Sequence, residues 1–311
     1  MNGIPVQFPD DAPVVPFASM ITYPEINPVL LSLGPFEVFS HTLGPLRIHW
    51  YGVMYLIGFL GGWWLGRMRA AKPHSPWTPP QVDDIVFFIV LGVVLGGRIG
   101  YVLFYGFSDF LANPVSLIEV WNGGMSFHGG LLGVLVAMWL FARRHGRTFF
   151  EATDFIAPLV PIGLGTGRLG NFINAELWGG PTSLPWGMRV PCRIAGELCS
   201  RLGLPPGSAY STPVHPNQLY ELLLEGVALF LILWLFSAGP RPRMAVSGLF
   251  LLCYGVFRFL IELVRLPDAH IGYLAFGWVT MGQVLSTPMI LFGMLLLFLA
   301  YRHQTSAEST A

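Results

Sequence analysis

The sequence predicts an all-α polytopic membrane protein with seven transmembrane helices, and three observations support this fold class. Apolar residues make up 53% of its 311 positions and charged residues 11%, whereas an ordinary soluble domain carries about 25% charged residues. Seven segments stay apolar over the roughly 20 residues that a membrane span requires. Basic residues concentrate in alternate links between these segments, as in multi-pass proteins. Basic and acidic residues are equal in number, so the net charge indicates no nucleic-acid partner.

The predicted spans also define an orientation. They are residues 50–69, 83–105, 126–142, 151–172, 217–238, 244–264 and 277–301. Basic residues lie in the links after the first, third and fifth spans, such as Arg143, Arg144 and Arg147 after the third. The positive-inside rule makes these links cytoplasmic. Because the number of spans is odd, the N-terminus is predicted outside and the C-terminus in the cytoplasm.

The spans divide the chain into five predicted parts. The stretch 28–39 is apolar but too short to cross a membrane, which predicts an interfacial segment on the outer face. The long link rich in Pro, Gly and Trp predicts a small external head. The parts are an external N-terminal interfacial segment (1–49), transmembrane helices 1–4 (50–174), the external head (175–216), transmembrane helices 5–7 (217–301) and a cytoplasmic tail (302–311).

Two local patterns predict how the second, third and fourth spans begin and pack. Thr78 is a typical N-cap, Pro79 and Pro80 follow it, and Asp83 and Asp84 are expected in the first turn of the second span. Small residues at four-residue spacing predict close contacts among the three helices. The glycine pairs are Gly96/Gly100, Gly129/Gly133 and Gly163/Gly167.

Five ionisable side chains are predicted to lie in the outer half of the membrane. Counting about 1.5 Å of rise per residue places them at similar depth on four different helices. A charge at such depth is costly unless it faces a polar cavity or another charge, so the sequence predicts a polar site there. The five residues are Arg98, His128, Arg168, Arg258 and Glu262.

The sixth span carries a polar stripe on an otherwise apolar helix. Tyr254, Arg258, Glu262 and Arg265 are spaced by four, four and three residues, which places them on one helix face. Two interpretations are open. Either the stripe belongs to a substrate site, or Arg258 and Glu262 form a structural pair that locks the helices together. The second deep arginine, Arg168, favours a site.

The end of the fourth span offers hydrogen-bond donors to a ligand. Arg168, Asn171 and Asn174 follow one another at three-residue spacing and share a helix face, and Glu176 comes next. Arginine and asparagine together provide the donors that a phosphate and glycerol hydroxyls require. Helix capping by Asn and Gly is the alternative, but it leaves an arginine two turns inside the span unexplained.

His128 enters the third span after a glycine-rich turn. A lone histidine at a helix entry is usually structural, and this interpretation stays open. The depth that it shares with the two arginines favours a functional role. No Ser/His/Asp set is assembled around it, because Ser126 lacks the G-x-S-x-G context of a nucleophile.

Five motifs together resemble the prolipoprotein diacylglyceryl transferase family. The resemblance covers nearly the whole chain from Ile48 onward, and residues 167–179 match the family pattern G-R-x-G-N-F-hydrophobic-N-x-E-x-x-G throughout. It implies a seven-helix protein of the bacterial inner membrane with a periplasmic N-terminus and head. The motifs are GGRIGYVLFY (96–105), GGMSFHGGLLG (123–133), GRLGNFINAELWG (167–179), HPNQLYE (215–221) and FRFLIELVR (257–265).

The resemblance implies a reaction and a set of site residues. The diacylglyceryl group of phosphatidylglycerol moves to the lipobox cysteine of a prolipoprotein signal peptide, with glycerol 1-phosphate as the product and no metal or dissociable cofactor. The catalytic residues are expected to be Tyr51, His128, Arg168 and Arg258. The substrate-binding residues are expected to be Arg168, Asn171, Glu176, Gly179, Arg258 and Glu262, and the helix-face spacing adds Asn174 and Tyr254.

This chemistry gives the residues separate expected roles. A free thiol has a pKa of about 8.5 and is mostly protonated near neutral pH, so a base is useful, and His128 is the candidate. The leaving phosphate monoester gains charge, which a guanidinium of Arg168 or Arg258 would stabilise. Which arginine holds the reacting lipid is left open. The rival class is a transporter of a phosphorylated or lipid substrate. The sequence shows no internal repeat, and its charges cluster in the outer half of the membrane, so a transporter is disfavoured.

The chain departs from the family in its head. Gly180 stands where relatives often carry a basic residue, and 181–213 does not align clearly. Three cysteines are too few and too scattered for a disulfide framework or a zinc site. A single bond between Cys192 and Cys199 outside the membrane stays an open alternative.

Overall fold

The structure is a computed structural model that describes residues 21–38, 41–73, 75–119, 123–267 and 272–308. Short 3₁₀ turns at Pro114–Leu117 and Ala157–Leu159 and a π-helical turn at Leu222–Ala228 interrupt or join the α-helices. The α-helices are α1 (Trp50–Ala70), α2 (Pro79–Phe104), α3 (Phe107–Ala112), α4 (Phe127–Arg144), α5 (Phe149–Ile156), α6 (Val160–Ile173), α7 (Gly196–Arg201), α8 (Asn217–Glu221), α9 (Leu229–Phe236), α10 (Ala245–Glu262) and α11 (Met281–Glu308).

Helical segments lie on all seven predicted spans, and four of them are long and apolar enough to cross a membrane. These four are Pro79–Phe104, Asn217–Phe236, Ala245–Glu262 and Met281–Arg302. The chain is therefore a largely helical, polytopic membrane protein. Crossing by α1, by α4 and by the continuous helical segment from α5 to α6 stays a prediction.

The all-α prediction is wrong for the N-terminal part of the chain, where short strands form. The stretch predicted to lie at the interface pairs as β-structure, because Val, Leu, Ile and Phe favour strands and glycines with positive φ, Gly34 (91°) and Gly44 (98°), allow the turns. The described strands are β1 (Ile21–Thr22), β2 (Val29–Leu33), β3 (Phe36–Val38), β4 (His41–Leu43), β5 (Leu46–His49) and β6 (Met188–Arg189).

Strand pairing joins the N-terminal part to itself and to the predicted head. β2 pairs antiparallel with β5, with Leu33 opposite Leu46, and β3 pairs antiparallel with β4. β1 pairs parallel with β6, which places Ile21 opposite Met188 in the head. The side chains of Leu33 and Leu46 are 39% and 60% exposed, so the β2–β5 pair presents apolar surface instead of burying it.

Helices α2 and α4 pack backbone against backbone, as two of the three glycine pairs predict. A Cβ atom at Gly96 would overlap the carbonyl oxygen of Gly129, and one at Gly100 would lie 2.7 Å from the Gly129 Cα. A Cβ atom at Gly133 would overlap the carbonyl oxygen of Gly92. Only glycine allows this approach.

The third predicted glycine pair was wrong. A Cβ atom at Gly163 or Gly167 would meet no heavy atom of another segment within 4 Å. Close contact of α6 occurs instead at Gly165, where a Cβ atom would lie 3.2 Å from the Cα of Gly226. Four-residue spacing identifies a face of small residues, but the register of the neighbouring helix decides which glycine is contacted.

Substitution of a contacting glycine is expected to destabilise the fold. Gly133→Ala forces α2 and α4 apart and should reduce the free energy of unfolding by about 1–3 kcal/mol, the usual cost of overpacking. Gly163→Ala is the matched control, because its methyl group has open space and alanine favours helix. Thermal unfolding of both variants in detergent checks this, and equal melting temperatures would contradict the packing.

The start of α2 confirms the predicted cap and corrects the predicted position of the acids. Thr78 forms a capping box in which its N–H donates to Gln81 Oε1 at 3.1 Å. Because the helix already begins at Pro79, the acids Asp83 and Asp84 fall in its second turn, too far along to face the free N–H groups. Asp83 pairs instead with the guanidinium of Arg67 on α1.

The chain divides into two compact units, each with its own core. The first comprises the described residues of Met1–Leu56, Leu164–Gly226 and Gly255–Pro288, and the second those of Ile57–Gly163, Val227–Tyr254 and Met289–Ala311. The first core contains Tyr23, Phe172, Trp178, Val190 and Val214. The second core contains Trp77, Ile85, Phe141, Phe155 and Leu159.

Candidate active site

Charged side chains form one cluster of ion pairs in the first unit. Arg168 Nε lies 3.2 Å from Glu221 Oε2, and its Nη2 lies 3.5 Å from Glu225 Oε2. Arg258 Nη1 lies 2.5 Å from Glu221 Oε1, and its Nη2 lies 2.6 Å from Glu262 Oε1. The third guanidinium is that of Arg265, whose Nη1 lies 3.6 Å from Glu221 Oε1. We call this set the ionic cluster; its members are Arg168, Arg258, Arg265, Glu221, Glu225 and Glu262.

Burial and charge balance define the chemistry of the ionic cluster. The side chains of Glu221 and Glu225 are fully buried, whereas those of Arg168 and Arg258 keep 19% and 16% of their surface exposed. Three guanidinium groups balance three carboxylates, so the formal charge of the cluster is zero. Both arginine side chains are partly exposed, and guanidinium groups bind anions such as phosphate through paired N–H donors.

Five of the six cluster residues lie on four helical segments, and Arg265 follows the end of α10. Arg168 lies on α6, Glu221 is the last residue of α8, and Glu225 lies on the π-helical turn that follows. Arg258 and Glu262 lie one turn apart on α10, as the polar stripe predicts. The structure therefore brings Arg168 and Arg258 to the same carboxylates.

Sequence reasoning missed the two innermost members, Glu221 and Glu225. It counted the arginines and Glu262 as deep charges but did not count the acids of the fifth predicted span. The signal was present, because two carboxylates at four-residue spacing in an apolar span share a helix face and require cationic partners. The arginines are those partners.

Glu262 is held on several sides. The hydroxyl of Thr280 donates to Glu262 Oε2 at 2.6 Å, and Arg265 Nε lies 3.7 Å from Oε1. A Cβ atom at Gly282 would overlap the Glu262 carboxylate in its present position, so glycine leaves room for this carboxylate. The Arg258–Glu262 pair anticipated as a structural alternative does form, but as one part of this larger network.

A second polar group lies at the C-terminal end of α6 and in the residues that follow it. Asn171 Nδ2 donates to Glu176 Oε1 at 2.8 Å, and Asn174 Nδ2 donates to the same oxygen at 3.3 Å. Glu176 is exposed, and its neighbours Ala175 and Leu177 adopt left-handed φ values of 56° and 63°. Non-glycine residues pay for this conformation with strain, which is concentrated at functional sites.

Tyr23 of the N-terminal part fixes the end of α6. Its hydroxyl donates to the carbonyl oxygens of Phe172 at 2.8 Å and Ile173 at 3.0 Å, which occupy the last turn of the helix. Burial raises the pKa of Tyr23 to about 12, so the hydroxyl keeps its proton and remains a donor. The same ring packs edge-on against Trp178 at 5.5 Å. Asn171 and Asn174 are thereby presented from an anchored helix end.

Tyr51 and Gly179, both expected in the site, have clear structural contacts. Tyr51 Oη shares a hydrogen bond of 3.0 Å with Tyr55 Oη, and a Cβ atom at Gly170 would lie 3.1 Å from the Tyr51 ring. Gly179 donates its N–H to His215 O at 2.9 Å, and a Cβ atom there would lie 2.7 Å from the His215 Cβ. Close packing explains why Gly179 is glycine, and its role in binding substrate stays a prediction.

His128 and Tyr254 belong to the second unit, whereas the ionic cluster belongs to the first. His128 is the second residue of α4 and is exposed; its ring meets that of Phe127 edge-on at 5.6 Å. Ser126 caps this helix by accepting the N–H of Gly129 at 3.2 Å. Tyr254 lies on α10, where its ring stacks on Phe250 at 5.8 Å. The cap fixes His128 in an accessible position at a helix start.

Arg98 corrects the expectation that each deep charge faces a cavity or another charge. Its guanidinium donates to backbone carbonyl oxygens: to Leu117 and Gly124 at 3.0 Å, to Gly123 at 2.5 Å, and to Ser116. Arginine has five N–H donors in a planar fork, which suits this task. Arg98 therefore stabilises the segment that leads into α4 and is explained without a ligand.

The head contains the disulfide that the sequence left open. Cys192 and Cys199 are bonded, and Cys253 on α10 is a free cysteine. Burial lowers the pKa of His215, which favours its neutral form near the start of α8. Within the described residues, no three His, Cys, Asp or Glu side chains are arranged to hold a metal ion.

Comparisons with known proteins agree with the motifs and the geometry. Residues 37–299 match the family described as Prolipoprotein diacylglyceryl transferase. A relative from Pseudomonas aeruginosa, named phosphatidylglycerol–prolipoprotein diacylglyceryl transferase, is 54% identical over 292 residues, 94% of this chain and 100% of the relative. Relatives of the same name from Pseudomonas fluorescens and Azotobacter vinelandii are each 55% identical, over 94% and 92% of this chain and 100% and 98% of their own lengths.

The ionic cluster, the polar end of α6 and the glycine-rich entry to α4 fall within the region that matches the family. The match extends over most of the chain, and the relatives align over nearly all of it. The chain therefore belongs to the prolipoprotein diacylglyceryl transferase family and is a transferase.

Proposed function

We propose that this chain transfers the diacylglyceryl group of phosphatidylglycerol to the lipobox cysteine thiol of prolipoproteins, the first step of lipoprotein maturation. The thiol sulfur forms a thioether with the glyceryl carbon, the carbon–oxygen bond to phosphate breaks, and glycerol 1-phosphate leaves. The observation that carries the proposal is the pairing of Arg168 and Arg258 on shared buried carboxylates. The names of the relatives support the same substrates.

Arg168 and Arg258 are assigned to the lipid phosphate. Both guanidinium groups pair with the carboxylate of Glu221, and both arginine side chains keep part of their surface exposed. As the carbon–oxygen bond breaks, the departing phosphate gains negative charge, and fixed donors in a poorly hydrated site stabilise that charge most strongly. Chemistry that needs only positioning, a base and anion stabilisation fits these residues. His128 is assigned as the base that takes the thiol proton.

The polar group at the end of α6 is assigned to the glycerol head of the lipid. Asn171 and Asn174 present amide donors beside the exposed carboxylate of Glu176, a combination that matches hydroxyl groups as both donors and acceptors. Tyr51, Gly179 and Glu262 complete the proposed site in the first unit, and Tyr254 is retained as a proposed substrate-binding residue. Tyr51 approaches α6 through its contact with Gly170.

The proposed topology has seven spans in the bacterial inner membrane, with the N-terminus periplasmic and the C-terminus cytoplasmic. The five parts bounded at residues 49, 174, 216 and 301 are retained in this proposal. The disulfide between Cys192 and Cys199 supports a periplasmic head, because such bonds persist in oxidising compartments. The exposed apolar side chains of the β2–β5 pair support an interfacial N-terminal part.

Labelling from outside the cell tests this topology. A cysteine placed at the exposed Ser183 is expected to react with a membrane-impermeant maleimide in intact spheroplasts, and a reporter fused after Ala311 should behave as cytoplasmic. A cysteine at the exposed Lys72 is the matched control and should react only after the membrane is opened. The reverse pattern would overturn both the orientation and the placement of the site.

A reconstituted assay tests the proposed activity directly. Purified protein, phosphatidylglycerol and a synthetic lipobox peptide are expected to yield the diacylglyceryl peptide and glycerol phosphate in equal amounts. A peptide with Ser in place of the lipobox Cys should give neither product. Movement of phosphatidylglycerol between leaflets without release of glycerol phosphate would instead support the transporter class.

Head-group selectivity gives a further expected result. Phosphatidylethanolamine should react at least about 100-fold more slowly than phosphatidylglycerol, because it leaves the hydrogen-bonding groups around Glu176 unmatched. Asn171→Ala and Asn174→Ala should narrow this ratio by slowing phosphatidylglycerol selectively. Parallel rate measurements with both lipids check this, and equal rates for the two lipids in the unmodified protein would refute the assignment.

A further inference from the structure

One buried carboxylate bridges both arginines assigned to phosphate. Glu225 Oε2 lies 3.5 Å from Arg168 Nη2, and its Oε1 lies 3.9 Å from Arg258 Nη1. Each oxygen thus faces one arginine. Glu221 makes the shorter contacts, at 2.5 Å and 3.2 Å, so Glu225 is the looser of the two partners.

Burial of the Glu225 carboxylate between the arginines carries a desolvation cost. The side chain is fully buried, and its carboxylate oxygens are held by ion pairs of 3.5 Å and 3.9 Å to the two arginines. A buried carboxylate held only by longer ion pairs contributes little to stability, because desolvation offsets the attraction. Its presence is therefore poorly explained by the fold alone.

The backbone around Glu225 indicates a specific placement. The residue lies on the π-helical turn Leu222–Ala228, a helix type that occurs often at functional sites. The next residue, Gly226, approaches α6 so closely that a Cβ atom there would lie 2.8 Å from the Gly165 Cα. This contact presses the turn against the helix that carries Arg168.

Charge balance shows what the carboxylate does when an anion enters. The three carboxylates neutralise the three guanidinium groups, so the cluster carries no excess positive charge when a phosphate enters. A lipid phosphate therefore competes with the carboxylates for the arginine donors. The same competition acts on glycerol phosphate after the reaction, whose second negative charge would otherwise hold it in the site.

We propose that Glu225 is a positioning residue that orients Arg168 and Arg258 and limits how tightly they hold phosphate, so that the glycerol phosphate product is released. This inference rests on the proposed transferase function. In this role Glu225 affects turnover through the two arginines and needs no direct contact with the substrate. Removing its charge should strengthen phosphate binding and slow product release.

The experiment compares Glu225→Gln with Glu225→Asp in the full-length protein in lipid nanodiscs. Glu225→Gln keeps the shape but leaves the cluster with one positive charge in excess. We expect about a tenfold lower KM for phosphatidylglycerol, inhibition by glycerol 1-phosphate at about tenfold lower concentration, and a several-fold lower kcat. Glu225→Asp keeps the charge and should return KM and product inhibition most of the way from the Glu225→Gln values toward those of the unmodified protein.

The double variant Glu225→Gln/Arg265→Gln restores charge balance. It should return KM and product inhibition toward their original values, and it serves as the second test if Glu225→Gln fails to fold. A purely structural role predicts lower thermal stability with unchanged KM and unchanged inhibition by glycerol 1-phosphate, and that result overturns the inference. If the unmodified protein releases no glycerol phosphate from phosphatidylglycerol in the presence of a lipobox peptide, the proposed function fails instead, and the two failures are distinguishable.

Discussion

Replacement of Arg168 or Arg258 by alanine is expected to reduce the rate of diacylglyceryl transfer by about 100-fold to 1000-fold. Each guanidinium is assigned to stabilise the charge that develops on the departing phosphate, and loss of one such fixed donor group typically has this effect. The decrease should be seen mainly in kcat, because the charge is greatest in the transition state. Glycerol phosphate release from phosphatidylglycerol and a lipobox peptide is the measurement.

A lysine at either position separates charge from geometry. Arg168→Lys and Arg258→Lys keep a cation against the buried carboxylates but lose the planar fork, so transfer should stay well below that of the unmodified protein. Alanine leaves Glu221 and Glu225 partly unpaired and is expected to reduce the free energy of unfolding by about 3–5 kcal/mol. The lysine variants keep a positive charge beside these carboxylates, so they test the function if the alanine variants unfold.

An exposed arginine provides the matched control for both substitutions. Arg193 is 66% exposed and pairs at the surface with Glu25, so Arg193→Ala should leave transfer and thermal stability nearly unchanged. Near-normal transfer in both Arg168→Ala and Arg258→Ala would contradict the assignment of the ionic cluster to phosphate.

His128→Gln is expected to reduce transfer by about 100-fold to 10,000-fold at neutral pH. Glutamine still forms hydrogen bonds but does not take up a proton usefully, and a positioned base typically contributes a factor of this size. Initial rates measured across the pH range in the variant and the unmodified protein check the expectation.

High pH distinguishes proton abstraction from positioning. An already ionised thiol does not need a base, so raising the pH should recover part of the lost rate in His128→Gln. His145→Gln is the control on the same helix, because His145 lies at the opposite end of α4, stacked on Phe141 at 4.1 Å. Near-normal transfer by His128→Gln at all pH values would exclude proton abstraction by this residue and favour a base supplied by the substrate.

Much of the fold could be predicted from the sequence because lipid imposes a simple rule. In a bilayer, backbone polar groups must be satisfied within the segment, so long apolar runs become helices, and helical segments lie on all seven predicted spans. The strands of 29–49 escaped prediction because short apolar runs fit either a strand or an interfacial helix. The contact at Gly165 also escaped, because periodicity identifies a face but not the register of its neighbour.

The candidate site was only partly predictable, for a related reason. Deep charges at Arg168, Arg258 and Glu262 stand out from an apolar background, so sequence alone identified them as residues in need of a partner. Which partner each receives depends on helices far apart in the chain. The pairing of Arg168 with Glu221, 53 positions later in the numbering, follows from the packing of α6 against the start of the fifth predicted span.

The sequence by itself determined the membrane character, the helical segments, the polar stripe of α10 and the family resemblance, because composition, span length and local spacing are properties of continuous segments. Only the tertiary structure decided that Glu221 and Glu225 neutralise the arginines. It also decided that Arg98 donates hydrogen bonds to backbone carbonyl oxygens and that Gly282 leaves room for the Glu262 side chain. These outcomes depend on distances of 2.5–4 Å between segments remote in sequence, and such distances are set by how helices pack, which no local pattern encodes.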